Sequence, residues 1–417
     1  MKKPEEKSLR IPVDKLRLGM FVDLEMGWTK HPFLFARFKL TKAKDIETIK
    51  GLGLCEITVI PARSDRNAIR NPPPPKSDDS APNADDMMAE KQATLSKAQG
   101  YRQRHNSVAS KYREQAEKMK KIAKALSTEP ANAIQDADEV VEGLAAEFDG
   151  SSELLTNLVN LGAGEHSFYN HNVNVTVLSL MLGSAAGLKG EALRQLALGA
   201  LLHDIGKIAL PSQVVTKIGK LTLPEERVLQ QHPVLGRRLT EKVRTLPKMA
   251  QAIIELHHEY LDGSGYPHGI GGARIPKQVQ IVSICNIYDN LCNARVAQES
   301  LTPKNALALM FKRYADKLDN ELLQLFIHHM GVYPPGTVVR LNDDSIGLVV
   351  AVNPKQLLRP ELLLYSDEVP KEEALIVNLA EHPQLEVEAV LKPGEYPSRI
   401  YQYLGIEERM GYFVDSL

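Results

Sequence analysis

His257-His-Glu-Tyr-Leu-Asp-Gly-Ser-Gly-Tyr-Pro267 sets two adjacent histidines and an acid ahead of a run of turn formers. Asp262-Gly, Ser264-Gly and Tyr266-Pro predict that a helix carrying His257 and His258 ends there and gives way to a rigid loop. Glycines in such a loop let backbone approach a ligand closely, and Tyr266 can stack on that ligand or hydrogen-bond to it. Outward in both directions, from about Glu139 to Met330, apolar residues recur at helical spacing with almost no alternating strand signal. The stretch predicts an all-helical domain over 135–330.

Seven of the chain's twelve histidines lie between His166 and His268. On a helix His171 shares a face with Val175, Leu178 and Leu182, and His203 with Leu193, Leu196 and Ala200. Both therefore point into a core. A lone histidine on an apolar face is ordinarily a satisfied core residue, but the neighbours here argue otherwise. Asp204 follows His203 at a probable helix end, and an unpaired carboxylate is costly to bury there; a metal ion removes that cost. His232 in Gln231-His-Pro and the His257-His258 pair add further ligands. Consecutive helical residues diverge by about 100°, so each adjacent pair would straddle two ions instead of sharing one stripe. Four or five histidines around one bridging carboxylate suit Fe, Mn or Zn better than Mg or Ca. His166, His268, His328 and His329 fall outside the set.

His203-Asp204 and His257–Pro267 together resemble the HD-GYP branch of the HD phosphohydrolases, which cleave cyclic di-GMP; the second stretch reads as that family's His-His-Glu-x-x-Asp-Gly-x-Gly-Tyr-Pro without a departure. Lys207-Ile-Ala-Leu-Pro, Lys217-Ile-Gly-Lys-Leu-Thr and Glu226…His232-Pro…Gly236 resemble it too, so the likeness runs from about Asp149 to His329. Residues 8–65 look like the small domain that often precedes HD-GYP. The resemblance implies metal ligands at His171, His203, Asp204, His232, His257, His258 and the position of Asn286. It implies catalytic roles for Asp204 and Lys207, and substrate contacts from Lys207, Tyr266 and Arg295. Two divalent transition metal ions, Fe or Mn, would activate a bridging hydroxide and open cyclic di-GMP to linear pGpG and then GMP. A diguanylate cyclase (GGDEF) protein is a candidate partner.

The chain departs from the pattern in three places. Asn286 stands where the family has an aspartate ligand, so the first metal is expected to bind more weakly; Asp289, one turn on, would compensate in part. Val296, Ala297 and Gln298 replace a Pro-Tyr and a basic residue after Arg295. Ser167 occupies the position of a glutamate that supports a third metal in some members, so two metals are expected. The competing readings are a cyclic di-GMP binding or scaffold module with little turnover, and a hydrolase of another cyclic dinucleotide.

The remaining sequence bounds the organisation. The 417 residues carry a formal charge of −1, which argues against a general grip on nucleic acid. No stretch approaches the roughly 20 apolar residues of a membrane helix. The charged start has no apolar run behind it, and three cysteines fit a reducing compartment, so a cytoplasmic protein is expected. Residues 8–70 predict a small α+β domain, with Thr41 as a helix N-cap and Gly53 as its stop. Residues 71–86, rich in Pro and Asp, predict a linker. Residues 87–128 predict a helix whose Val108, Tyr112, Met119, Ile122 and Leu126 either pack on the neighbouring domain or form a homodimer through 87–127. Residues 331–410 predict a small β-rich extension.

Overall fold

The computed structural model describes residues 8–26, 30–33, 36–70, 84–161, 168–217, 219–294, 299–367, 369–371, 374–392 and 395–405. The chain divides into two compact units, residues 1–100 with 366–376, and residues 101–365 with 377–417. No helix among the described residues is long and apolar enough to cross a membrane.

In the first unit, β1 (Leu9–Pro12), β2 (Phe21–Asp23), β3 (Arg37–Lys39) and β4 (Glu56–Val59) form an antiparallel sheet in the order β1-β4-β2-β3. Helix α1 (Ala43–Gly51) turns Ile46 and Ile49 into the core with Val22, Leu40, Ile57 and Val59. Its N-cap is Lys42 and not Thr41, because the Asp45 carboxylate accepts the Lys42 N–H at 3.2 Å. Gly53 follows in the left-handed region at φ 74°, where glycine carries no steric penalty. A short α2 (Arg66–Arg70) closes this part. Residues 71–83 of the expected linker lie outside the described residues. Residues 84–86 are already helical, since α3 runs unbroken from Ala84 to Ala125.

The second unit is a helical core built from the part of α3 from Tyr101 onward, α4 (Pro130–Leu161), α5 (Phe168–Ala185), α6 (Gly190–Leu202), α7 (Ser212–Val215), α8 (Leu223–Leu229), α9 (His232–Thr240), α10 (Lys248–Leu256), α11 (Lys277–Cys292), α12 (Pro303–Arg313) and α13 (Asn320–Met330). Val108, Tyr112, Met119 and Ile122 of α3, with Leu126 just past its end, are all buried in this core. The stripe offered for a homodimer is therefore covered by the chain itself. Helix α5 is buried on every side from Asn172 to Gly183, the mark of a central helix. Gly183 and Gly199 bring helices close: a Cβ on Gly183 would stand 2.4 Å from Leu196 Cδ2, and one on Gly199 2.6 Å from Ile253 Cδ1. After the helices, β5 (Val338–Leu341), β6 (Ile346–Ala351), β7 (Glu361–Leu364), β8 (Ile376–Asn378) and β9 (Val387–Val390) make a sheet in the order β8-β7-β6-β5-β9, followed by α14 (Ser398–Leu404). The first three strands fall on Val338-Val-Arg-Leu, Gly347-Leu-Val-Val-Ala-Val and Leu362-Leu-Leu-Tyr, apolar runs that the sequence reads as β. β8, β9 and α14 were not anticipated.

One contact fixes the register of the site. The 3-10 turn Ile205–Ala209 lies against α9, and a Cβ on Gly206 would stand 1.9 Å from the His232 carbonyl oxygen and 2.4 Å from the Gly236 nitrogen. Gly206→Ala is therefore expected to destabilise the unit by about 3 kcal/mol, the upper range for overpacking, and to lower its melting temperature by about 6–12 °C. Thermal unfolding followed by circular dichroism checks this.

Candidate metal centre

The apolar run Leu196–Leu202 buries the second half of α6 and delivers His203 and Asp204 to the interior at its end. His203 is the C-cap of α6, and its Nδ1 lies 2.7 Å from the Ala200 carbonyl oxygen. His232 opens α9 with its Nδ1 2.7 Å from the Leu229 carbonyl, and His257 caps α10 with its Nδ1 3.1 Å from that of Ile254. In each case a backbone acceptor claims the Nδ1 proton and leaves Nε2 as a free lone pair. His171 uses a carboxylate in the same way, with its Nδ1 2.6 Å from Asp289 Oδ2.

These Nε2 atoms converge in two pairs. His171 and His203 face each other at 3.2 Å, and so do His232 and His257. Asp204 lies between the pairs. Its Oδ2 is 3.5 Å from His171 Nε2 and 3.6 Å from His203 Nε2, while its Oδ1 is 3.0 Å from His232 Nε2 and 3.8 Å from His257 Nε2. His258 joins the second group. Asp204 is 1% exposed, and Oδ1 meets no donor in hydrogen-bond geometry. Facing lone pairs around a buried carboxylate oxygen without a donor are stable only with a cation between them. The donors are one ligand atom each from imidazoles and a carboxylate, so they fit one divalent ion per group with Asp204 shared.

Electrostatics agree with this arrangement. Burial pushes the Asp204 carboxyl upward, but Lys207, His203 and His232 outweigh it and hold it well below the usual 3.8. Burial lowers His203 from 6.5 to about 3, and with neighbouring imidazole charge takes His257 and His258 well below 6.5. His203, His257 and His258 are thus neutral and Asp204 ionised at neutral pH, the forms that bind a metal. The Lys207 ammonium contacts Asp204 Oδ2.

The loop after α10 is held from beneath. Glu259, 2% exposed, accepts the His268 N–H at 2.6 Å and the Ile270 N–H at 3.1 Å. Tyr266 stacks on the His258 ring at 4.4 Å and donates its N–H to the His258 carbonyl at 3.1 Å. Gly265 lets the loop fold onto the helix end: a Cβ there would stand 2.4 Å from that same carbonyl oxygen. The Tyr266–Pro267 peptide is cis.

The structure therefore assembles His171, His203, Asp204, His232, His257, His258, Lys207 and Tyr266. Asn286 is buried on α11, and its Oδ1 accepts from Asn290 Nδ2 at 2.6 Å. Arg295, Val296, Ala297, Gln298, Ser167 and His166 lie outside the described residues. Asp289, expected to lend charge to the first metal, instead holds the far side of the His171 ring. Sequence reasoning missed Glu259 as the loop's anchor; its place directly after two ligand histidines and before a turn run was the available signal.

Residues 153–322 match a family model described as an HD domain, residues 8–137 one described as a domain of unknown function, and residues 338–399 one described as a KOW domain associated with HD domains. A cyclic di-GMP phosphodiesterase of Pseudomonas aeruginosa is 28% identical over 371 residues, covering 85% of this chain and 84% of the relative. A cyclic di-GMP phosphodiesterase response regulator of Xanthomonas campestris is 39% identical over 132 residues, 31% of this chain and 35% of that protein. A 3′3′-cGAMP-specific phosphodiesterase of Vibrio cholerae is 29% identical over 185 residues, 43% of this chain and 41% of the relative.

The depressed histidines set a pH dependence. Their folded pKa values lie below the ordinary 6.5, so the unfolded chain takes up protons first. The metal-free protein should lose stability as pH falls below about 6.5, and go on losing it toward about 3, where His203 itself protonates. Asp204, depressed below 3.8, adds a loss of the same sign at the acid end. Melting temperatures of the chelator-treated protein at pH 7.5 and pH 5 check this; equal values would show the imidazoles to be solvated.

Proposed function

We propose that this chain, whose residues 153–322 match a family model described as an HD domain, is an HD-GYP-type metal-dependent phosphodiesterase that hydrolyses cyclic di-GMP to linear pGpG, with GMP as the product of a second cut. The observation that carries the reading is the single buried carboxylate of Asp204, with one oxygen toward His171 and His203 and the other toward His232 and His257. The relatives named as cyclic di-GMP phosphodiesterases support the substrate.

His171, His203 and Asp204 would hold one divalent ion, and Asp204, His232, His257 and His258 a second, with iron or manganese favoured by the imidazole-rich donor set. Bound there, the ions supply an activated water and positive charge against the phosphoryl oxygens. The chain's own residues do the rest. The backbone acceptors on Nδ1 keep the imidazoles neutral and aimed. Lys207, beside Asp204 and 21% exposed, contributes a cation to the charge that develops on the phosphate as water adds to phosphorus and the bond to O3′ breaks. Tyr266, fixed on His258, shapes the wall against the nucleotide. Arg295 remains our candidate for the guanine or the far phosphate on the sequence resemblance. A binding module without turnover is not favoured, because the donor set and Lys207 are both assembled.

Purified protein reconstituted with Mn(II) or Fe(II) should convert cyclic di-GMP to pGpG, resolved by chromatography alongside cyclic GMP-AMP as the competing substrate. Faster cleavage of the latter would reassign the substrate. Asp204→Ala should remove hydrolysis and reduce metal content in both groups, read by elemental analysis; activity within threefold of wild type would show that the carboxylate is not shared.

Asn286 remains our candidate for a further ligand, and Asn286→Asp separates ligand from scaffold. Asn290 Nδ2 can donate to a carboxylate as well as to an amide, so the substitution keeps that bond. A ligand position predicts Mn(II) binding tighter by about 10-fold and more activity at limiting metal. Unchanged or weaker binding by calorimetry would remove Asn286 from the centre.

A further inference from the structure

Behind His171 runs a chain of buried polar groups that ends on another helix. Asp289 Oδ2 takes the His171 Nδ1 position at 2.6 Å. Asp289 Oδ1 accepts from Asn293 Nδ2 and from Asn174 Nδ2, both at 2.8 Å. The Asn174 amide oxygen accepts in turn from the Tyr112 hydroxyl. Tyr112, Asn174 and Asp289 are 2%, 5% and 1% exposed, so none of these bonds can be exchanged for water at little cost. The directions are determined throughout: a carboxylate can only accept, so Asn174 must present its NH2 to Asp289 and its oxygen to the donor that remains, the tyrosine. Burial and the Asp289 charge both raise the Tyr112 pKa, which keeps the phenol a donor.

We propose that Tyr112 is a positioning residue for the metal centre, its hydroxyl fixing the Asn174 amide, which fixes the Asp289 carboxylate, which in turn fixes the tautomer and angle of the His171 ring. The inference rests on the metal-dependent reading above and extends it to a helix outside the donor set. Helix α3, which carries Tyr112, is continuous from Ala84 to Ala125. A rotation of α3 that parts Tyr112 from Asn174 therefore reaches His171 without any ligand being touched. Without its tyrosine the Asn174 amide can flip, and a flipped amide turns its oxygen on Asp289 and repels it.

Tyr112→Phe keeps the ring and removes only the donor. In the full chain, calorimetry with Mn(II) should show binding about 10-fold weaker, the low end for partners standing behind a metal-ligating histidine. At saturating Mn(II), kcat and KM should return to within about twofold of wild type, because the variant touches no substrate group. Leu126→Ala, a cavity in the same core just past the end of α3, should lower the melting temperature while leaving Mn(II) affinity unchanged. Asn174→Ala should weaken binding at least as much as Tyr112→Phe, and the double variant no more than Asn174→Ala alone, since the two residues act in series. Wild-type affinity in Tyr112→Phe, an equal loss in Leu126→Ala, or additive losses in the double variant would each overturn the proposal and leave the metal centre standing. Failure of the wild-type protein to take up Mn(II) would overturn both.

Discussion

A carboxylate that water cannot reach, with two imidazole lone pairs turned toward it on each side, organises the helical core. Asp204 cannot be neutralised by its neighbours alone: the Lys207 ammonium reaches one oxygen, and the other has no donor in hydrogen-bond geometry. Everything nearby follows from keeping that carboxylate ionised and the imidazoles neutral. The carbonyls of Ala200, Leu229 and Ile254 serve as acceptors at helix ends, where carbonyls lack intrahelical partners. Helix termini thus do the work that a separate set of polar side chains would otherwise have to do.

The site and the loop above it are coupled through backbone. Tyr266 binds the His258 carbonyl, Ser283 Oγ donates to the His257 carbonyl at 2.7 Å, and Glu259 gathers two N–H groups of the loop. The same three residues that end α10 therefore carry two ligands, one anchor and the platform on which an aromatic wall rests. Such sharing explains why the motif is dense: little of it is free to act as spacer.

Much of the ligand set was legible because it is written locally. His203-Asp204 at the end of an apolar helix and His257-His258 before a glycine-rich turn each announce a buried polar group in need of a partner. The position of Asp204 between two groups of imidazoles was expected from the divergence of adjacent helical residues. Links across the chain left no such trace. Tyr112 and Asn174 are 62 positions apart, and Asn174 and Asp289 are 115 apart, so neither pair could be drawn from periodicity. Tyr112 instead read as one member of an apolar stripe, which is true of its ring and silent about its hydroxyl. Asp289 was placed one turn on from Asn286, but distance along a helix axis could not say that it lay behind an imidazole. β8 is only three residues long, and β9, Val387-Glu-Ala-Val, is half-exposed and lacks the apolar run of β5, β6 and β7, so both escaped notice. The start of α1 was misplaced by one residue for want of the Asp45 contact.

The contact between Gly206 and α9 also bears on which second mutations could rescue a first. The atoms that a Cβ on Gly206 would strike are the His232 carbonyl oxygen and the Gly236 nitrogen, both main chain. Shortening a side chain elsewhere frees no space for it. The only relief is to move the first turn of α9, and that turn begins with His232, a candidate ligand. A genetic screen for suppressors would therefore recover stability only by displacing the metal centre, which makes this position one where folding and chemistry fail together.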